Sequence, residues 1–369
     1  MILLFNVTLN IMNKHKGSVV VGMSGGVDSS VSAYLLKKQG FDVKGLFMKN
    51  WQTEPGEECT SEIDYNDASK VCDQLDIPLH KANFSNEYWD NVFESFLSEH
   101  KKGRTPNPDI LCNREIKFKS FLHYAEDIGA DFIATGHYAK LINEDDHTYL
   151  ARAVDDFKDQ TYFLHEVNEN QLKNCIFPLA DLTKNEVRKI AADTNLPVAK
   201  KKDSVGICFI GERNLKDFLG RFISLKPGDI KDNNGKVIGR HNGSALYTIG
   251  QRQGLYIGGI KDMQELPWYV YKKDTLNNEI FVCQGVDNPL LFSNSLTIKK
   301  IKWINDINYN LPLNISLQIR HQHKPIKALL KKQDDMYIVD FSEPIRAITP
   351  GQSAVFYKDN ICLGGGVII

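Results

Sequence analysis

Val19-Val20-Val21-Gly22-Met23-Ser24-Gly25-Gly26-Val27-Asp28-Ser29-Ser30 is the stretch that decides the fold. Three consecutive β-branched apolar residues suit a strand buried on both faces. Gly25-Gly26 makes a tight turn, and a helical pattern runs from Ser30 to Lys38 until Gly40 ends it. A strand, a glycine turn and a helix start together form an anion site. The first-turn N–H groups lack intrahelical partners, and the positive end of the helix dipole points at the turn. Gly25 and Gly26 let the backbone approach an anion with no Cβ in the way. Ser24, Ser29 and Ser30 add hydroxyl donors, and Asp28 is a candidate to hold magnesium or a water beside phosphates. The Gly-Lys-Ser/Thr ending of the P-loop is missing.

Outward from this motif, strand and helix alternate. Strands are predicted at Val19–Met23, Val43–Met48, Leu79–Asn83 and Phe132–Thr135, and helices at Ser30–Lys38, Tyr65–Leu75 and Glu115–Ile128. Tyr88, Trp89, Val92, Phe93, Phe96 and Leu97 recur at helical spacing. This rhythm implies an α/β fold with a doubly wound parallel sheet. Ligands of such sheets bind beyond the carboxyl ends of the strands. Ser24, Met48 and Gly136 all stand at strand ends, so their loops are expected to converge. Thr183-x-x-Glu186 is a capping box before Val187, Ile190 and Ala191, a helix that closes the α/β part.

After about residue 216 the texture changes. Lys226-Pro227-Gly228-Asp229, Asn233-Asn234-Gly235 and Ile257-Gly258-Gly259 are turn signals among short strands. Short alternating runs then follow at Glu279–Gln284, Leu296–Ile304, Ile315–Arg320, Met336–Phe341 and Ser353–Tyr357. They suggest a small antiparallel barrel or sandwich. The expected division is a disordered extension over 1–16 (with Met12 as an alternative start), a catalytic domain over 17–216, a small central domain over 217–280 and a β-barrel over 281–369.

The 369 residues are 42% hydrophobic and 25% charged, with a formal net charge of −1, an ordinary soluble composition for two or three domains. No apolar run approaches the ~20 residues of a membrane span. Met1–Asn13 lacks a basic n-region and a cleavage site. A cytoplasmic protein with no membrane partner is expected. The net charge does not decide for or against nucleic acid. Lys200-Lys201-Lys202, Lys101-Lys102 with Arg104, and the stretch from Arg320 to Lys332 could together track a phosphate backbone.

Seven cysteines are present without Cys-x-x-Cys or zinc spacing, so no tightly bound metal is expected. Cys112 follows Thr105-Pro106-Asn107-Pro108-Asp109-Ile110-Leu111, read as an extended loop ahead of a helix beginning at Arg114. A helix N-terminus favours the reactive thiolate, and Asp109 is a candidate acid or base. Cys208 follows Lys200-Lys201-Lys202 within a glycine-flanked loop, where the lysines would help deprotonate it. Cys59, Cys72, Cys175, Cys283 and Cys362 have no such setting and are read as structural.

Gly22–Ser30, Gly45–Trp51, Asn107–Asn113, Ala134–Tyr138, Lys158–Gln160, Gly206–Arg213 and Thr349–Ala354 together resemble the motifs of the bacterial tRNA-specific 2-thiouridylases, in order along nearly everything after residue 17. The resemblance implies an ATP pyrophosphatase fold and ATP-dependent thiolation at C2 of the wobble uridine, U34. It implies that Gly22, Met23, Ser24, Gly25, Gly26, Val27, Asp28, Ser29, Met48 and Gly136 bind ATP, taken with Mg2+ as co-substrate and without a permanent cofactor. Asn107, Pro108 and Asp109 would meet the target base. Cys112 would be the nucleophile, Cys208 the persulfide carrier, and the two would form a transient disulfide. His137, Lys158, Asp159, Gln160, Arg320, His321 and Gln352 would contact tRNA. Position 321 is often an aromatic in that family, and histidine keeps a stacking face. Implied partners are the tRNAs for Lys, Glu and Gln and a cysteine desulfurase or sulfur-relay protein, with a monomer as the default.

Two other classes fit parts of the chain. An amidotransferase-type ligase would use Ser24–Ser30 but leave Cys112 and Cys208 idle, and no glutaminase segment accompanies the loop. A non-catalytic RNA-binding protein would have no need of Asp28, Asp109 and both cysteines. AMP and pyrophosphate appearing only with tRNA and a sulfur donor would separate the three.

Overall fold

The Val19–Val21 run lies at the centre of a five-stranded parallel sheet. A computed structural model describes residues 16–52, 60–203, 215–258 and 265–369. Strands β1 (Ser18–Gly22), β2 (Asp42–Lys49), β3 (Leu79–Asn83) and β4 (Phe132–Ala134) pair in the order β3-β2-β1-β4, with Cys175–Ile176 beyond β4 and every pair parallel. Alternate side chains of β1 enter opposite layers. Val20 joins Leu46, Ile133 and Phe121, whereas Val19 and Val21 join Val31, Leu36 and Phe47. All three valines are fully buried, which is why the strand reads as an apolar run instead of an alternation. Each contributes ~1.5–3 kcal/mol relative to exposure. After β3 the chain returns on the other side of β1, so the sheet's switch point lies between β1 and β4.

The first helix, α1, spans Val27–Lys38 and so begins before the predicted Ser30, because Gly26 takes the extended N-cap conformation. Continuous helix also covers residues 85–101 and 108–127, and in each a stretch is wound more widely, at Trp89–Phe93 and Cys112–Ser120. Here the structure corrects the sequence reading: Cys112 does not precede its helix. Pro108 opens it, and the Asn107 side chain accepts the Asp109 N–H at 3.0 Å as its cap. The predicted capping box is present, with Thr183 and Glu186 closing the start of the helix Lys184–Asp193.

Gly228–Lys231, Val237–His241, Trp268–Asp274 and Glu279–Gln284 form a separate four-stranded sheet. Glu279–Gln284 pairs with Trp268–Asp274 and Gly228–Lys231, so it belongs with the central strands, and a boundary at 280/281 would cut through it. Beyond it, Phe292–Ile298, Met336–Arg346, Ile326–Gln333, Leu313–Gln318, Ser353–Lys358 and Ile361–Val367 follow one another antiparallel. An Ile298–Ile368 bridge returns the last to the first and closes a barrel.

Sequence reading missed the hairpin Lys140–Glu144/His147–Ala151, which sits in the α/β half but pairs with Ile361–Val367 of the barrel. Its turn residues Asp145 and Asp146 both have positive φ, 48° and 63°, the primed-turn geometry of a two-residue hairpin. Leu150, Tyr162, Val355 and Tyr357 accordingly share one core.

Candidate functional site

The glycine turn meets two neighbours that no other residue type would allow. At Gly25 φ is +71°, and a Cβ there would stand 2.3 Å from the Asp64 carbonyl oxygen. At Gly136, beyond β4, a Cβ would stand 2.8 Å from the Ser29 amide nitrogen. The end of β4 is thus pressed against the first turn of α1. The Met48 methyl lies beside Gly22, 3.2 Å from where its Cβ would be. The predicted convergence of the Ser24, Met48 and Gly136 loops therefore holds. Ser24 is exposed, with its hydroxyl 3.2 Å from that of Ser29. Ser30 is fully buried and donates to the Gly26 carbonyl at 2.7 Å, so it serves the turn instead of facing a ligand. Met23 and Val27 are buried and offer the site only backbone groups.

Asp28 has partners that the sequence did not announce. Lys184 Nζ lies 2.7 and 2.8 Å from its two carboxylate oxygens, and the Tyr138 hydroxyl donates to it at 3.0 Å. Lys184 also reaches Asp203 at 2.9 Å, as do Lys158 at 2.9 Å and Arg188 at 2.5 Å. Burial would raise the Asp203 carboxyl, but Lys158 and Lys184 hold it well below the usual carboxylate range. Burial and the Asp28 charge push the Tyr138 phenol far up, so it stays a donor. A signal for Lys184 existed. A cation in a helix's first turn opposes the dipole, and Lys184 directly follows the Thr183 cap.

Cys112 is 1% exposed and lies on the same helix face as Asp109, one turn earlier. The wide winding leaves the Phe121 N–H on the Ile116 carbonyl, five residues back. Gln171 Nε2 donates to the Arg114 and Phe118 carbonyls of the same stretch, at 3.0 and 2.9 Å. Asn113 donates to the Phe163 carbonyl at 3.0 Å. Asn107, Ile110, Leu111 and Arg114 line a cleft of about 520 Å³ with Lys299 and Lys300. Asn107 and buried Pro108 therefore start the helix that presents Asp109 and Cys112.

Cys208 lies outside the described residues, as does Cys59. Cys72, Cys175, Cys283 and Cys362 are buried and free, and burial pushes their thiols up, to about 12 at Cys72 and Cys362 and about 11 at Cys283. Such thiols are inert. Among the described residues no group of three His, Cys, Asp or Glu could hold a metal ion. No described helix is long and apolar enough to cross a membrane.

Several of the residues expected to touch RNA are committed inside the protein. The Asp159 carboxylate is buried and takes Arg152 at 3.0 Å, Thr161 at 2.7 Å and the Ala153 N–H at 3.1 Å. Burial raises its carboxyl despite those partners. Gln160 accepts the Tyr138 N–H at 3.0 Å, and Lys158 is paired with Asp203. His137 is buried against Thr135, 2.7 Å away, and burial and then Lys117 keep it neutral. Arg320 donates to Ala347 and Thr349, and Gln352 donates to the Thr105 carbonyl at 2.6 Å. With the Thr105 N–H on the Pro350 carbonyl at 3.0 Å, the barrel grips the segment leading into the Cys112 helix. His321 packs against Phe163 at a tilt of 39°, centroids 4.5 Å apart, and bonds the Asp159 carbonyl at 2.7 Å.

Residues 17–212 match the family described as the tRNA methyl transferase HUP domain. Residues 216–284 match its PRC-barrel domain, and 293–368 the aminomethyltransferase beta-barrel domain. The chain is 56% identical over 354 residues to the tRNA-specific 2-thiouridylase MnmA of Pseudomonas fluorescens strain Pf0-1, covering 96% of this chain and 95% of that one. It is 55% identical over 351 residues to that of Pseudomonas aeruginosa strain UCBPP-PA14, covering 95% and 94%. A solved U34-tRNA thiolase, NcsA from Methanococcus maripaludis, aligns at 21% identity and a TM-score of 0.35 over 50% of this chain and 58% of its own, a distant likeness. On its full-length identity to these relatives, the chain belongs to the tRNA-specific 2-thiouridylase family.

Proposed function

We propose that this protein thiolates C2 of uridine at the wobble position (U34) of tRNA, converting ATP to AMP and pyrophosphate. The observation that carries the reading is the Gly25–Ser29 turn at the sheet's switch point, pressed on by Gly136, in a chain of this family with Asp109, Cys112 and Cys208.

The chemistry follows from the groups present. A uracil carbonyl oxygen is a poor leaving group, and transfer of AMP to it makes a good one. The α1 N-terminus, the Ser24 and Ser29 hydroxyls and Lys184 stand where fixed dipoles and a cation can meet the charge of departing pyrophosphate. Magnesium belongs to the substrate, as magnesium–ATP. Asp28 can reach it only by releasing Lys184, which then turns to the phosphates.

Sulfur arrives as a persulfide on Cys208 from a cysteine desulfurase or relay protein. The Cys112 thiolate attacks the Cys208 sulfur and forms a Cys112–Cys208 disulfide. The terminal sulfur leaves as hydrosulfide with the bond's electron pair. Hydrosulfide adds at C2, AMP departs and 2-thiouridine remains. Asp109 takes and returns the proton, and an external thiol reduces the disulfide. Asn107 and Pro108 border the target base. Lys158 and Gln160, with Arg320, His321 and Gln352, border the surface that receives an anticodon loop with its base splayed out, and buried His137 and Asp159 support it from within. The tRNAs for Lys, Glu and Gln are the substrates, and the protein works as a cytoplasmic monomer.

The test is mass spectrometry of nucleosides from tRNA incubated with the protein, magnesium–ATP and a persulfide donor. 2-Thiouridine at the wobble position is expected. AMP formation with no sulfur gain would move the search to another carbonyl acceptor.

A further inference from the structure

Phe157 is 82% exposed, and Val154 beside it 59%. The turn that carries the ring is nonetheless rigid. Asp155 Oδ1 accepts the Phe157 and Lys158 N–H groups at 3.1 and 3.2 Å, and the Asp155 carbonyl accepts those of Lys158 and Asp159 at 3.0 and 2.8 Å. Asp155 Oδ2 accepts the Lys184 N–H at 2.8 Å, and the Val154 N–H donates to the Ala180 carbonyl at 3.0 Å. The turn is thereby bolted to the helix whose Lys184 holds Asp28. Its other end continues into Lys158, Asp159 and Gln160, with His321 on the Asp159 carbonyl.

A large apolar ring held in water on a rigid mount is pre-ordered for a flat apolar partner. Little backbone entropy remains to be lost when it binds. Asp156, exposed beside it, repels phosphate, so the ring suits the face of a base and not the backbone. We propose that Phe157 is a stacking platform for an unpaired anticodon-loop base next to the target uridine. The proposal rests on the tRNA reading above. It gives the rim of the site a contact that tolerates any base, because every base has a π-face.

The experiment measures the affinity of the full-length protein for an unmodified tRNA transcript at several salt concentrations, alongside sulfur transfer. Phe157→Ala is expected to weaken binding about tenfold, the scale of one lost stack, with the salt dependence unchanged because no phosphate contact is removed. Phe157→Tyr is expected to restore it. Phe157→Ala binding within twofold of wild type would overturn the proposal. So would unchanged tRNA binding with a loss confined to sulfur delivered by a protein donor, which would make the ring a protein-docking contact. If wild-type protein binds tRNA but makes no 2-thiouridine, the functional reading fails, and the binding comparison still decides the role of Phe157.

Discussion

Lys184 Nζ grips both carboxylate oxygens of Asp28, at 2.7 and 2.8 Å, across the mouth of the glycine turn. A lysine in the first turn of one helix and an aspartate in the first turn of another place a cation and an anion where a triphosphate would lie. The pair holds the cation ready near the turn while no phosphate is bound. Lys184→Gln is expected to slow tRNA-dependent pyrophosphate release ~10²–10³-fold, the cost of one preorganised group aimed at developing charge. A pyrophosphate assay checks it, and a rate within threefold of wild type would remove Lys184 from the phosphate site.

Gly136 makes a second, purely steric prediction. A methyl group at this position meets the Ser29 amide nitrogen and the Asp28 carbonyl carbon at 2.8 and 2.9 Å, and both are backbone. The start of α1 must move, and a displacement near 1 Å can cost ~10²-fold in rate. Gly136→Ala is expected to raise the KM for ATP and lower turnover, while tRNA affinity stays near wild type. Steady-state kinetics varying each substrate in turn would separate the two.

Cys112→Ala and Cys208→Ala are each expected to abolish sulfur transfer while tRNA binding survives. Cys112 is a small buried side chain, so alanine leaves only a minor void and folding should persist. Nucleoside mass spectrometry and a binding assay on the same preparations check both. Thiolation by either variant at the wild-type rate would sink the two-cysteine chemistry.

The sequence was most legible where one segment does one local job. Val19–Val21 followed by Gly25-Gly26 is a strand and a turn whatever surrounds it, and Thr183 with Glu186 caps its helix within four residues. It was least legible where partners are far apart along the chain. Lys140–Ala151 pairs with Ile361–Cys362 only because the barrel folds back onto the α/β layer, and Asp145-Asp146 is a weaker turn signal than Asn-Gly. Pro106 and Pro108 read as an extended loop, yet Asn107 and Pro108 supply a cap and a first helical residue. Asp159, expected from the Lys158–Gln160 motif to contact tRNA, is buried instead. Its partner Arg152 and the barrel residue Gln318, which also binds that arginine, bury it.

Glu169 ties the hairpin to the helix that carries Cys112, and it makes stability depend on acid. Its carboxylate takes the His147 ring at 3.1 Å and the Thr148 N–H at 3.0 Å, while Gln171, two residues on, holds the Arg114 and Phe118 carbonyls. Burial works against the charge, but His147, Asn305 and the Thr148 amide bring the carboxyl from 4.5 down to about 2. A depressed carboxyl stabilises the fold above its unfolded value. That contribution is lost as pH falls through its folded value, so the window runs from about 4.5 to about 2. Glu169→Gln should therefore lower stability at pH 7, with the gap to wild type closing as pH falls through the window. Denaturant titrations at pH 7, 4 and 3 measure the gap. A gap that stays constant across them would mean that the carboxylate charge does not hold this seam.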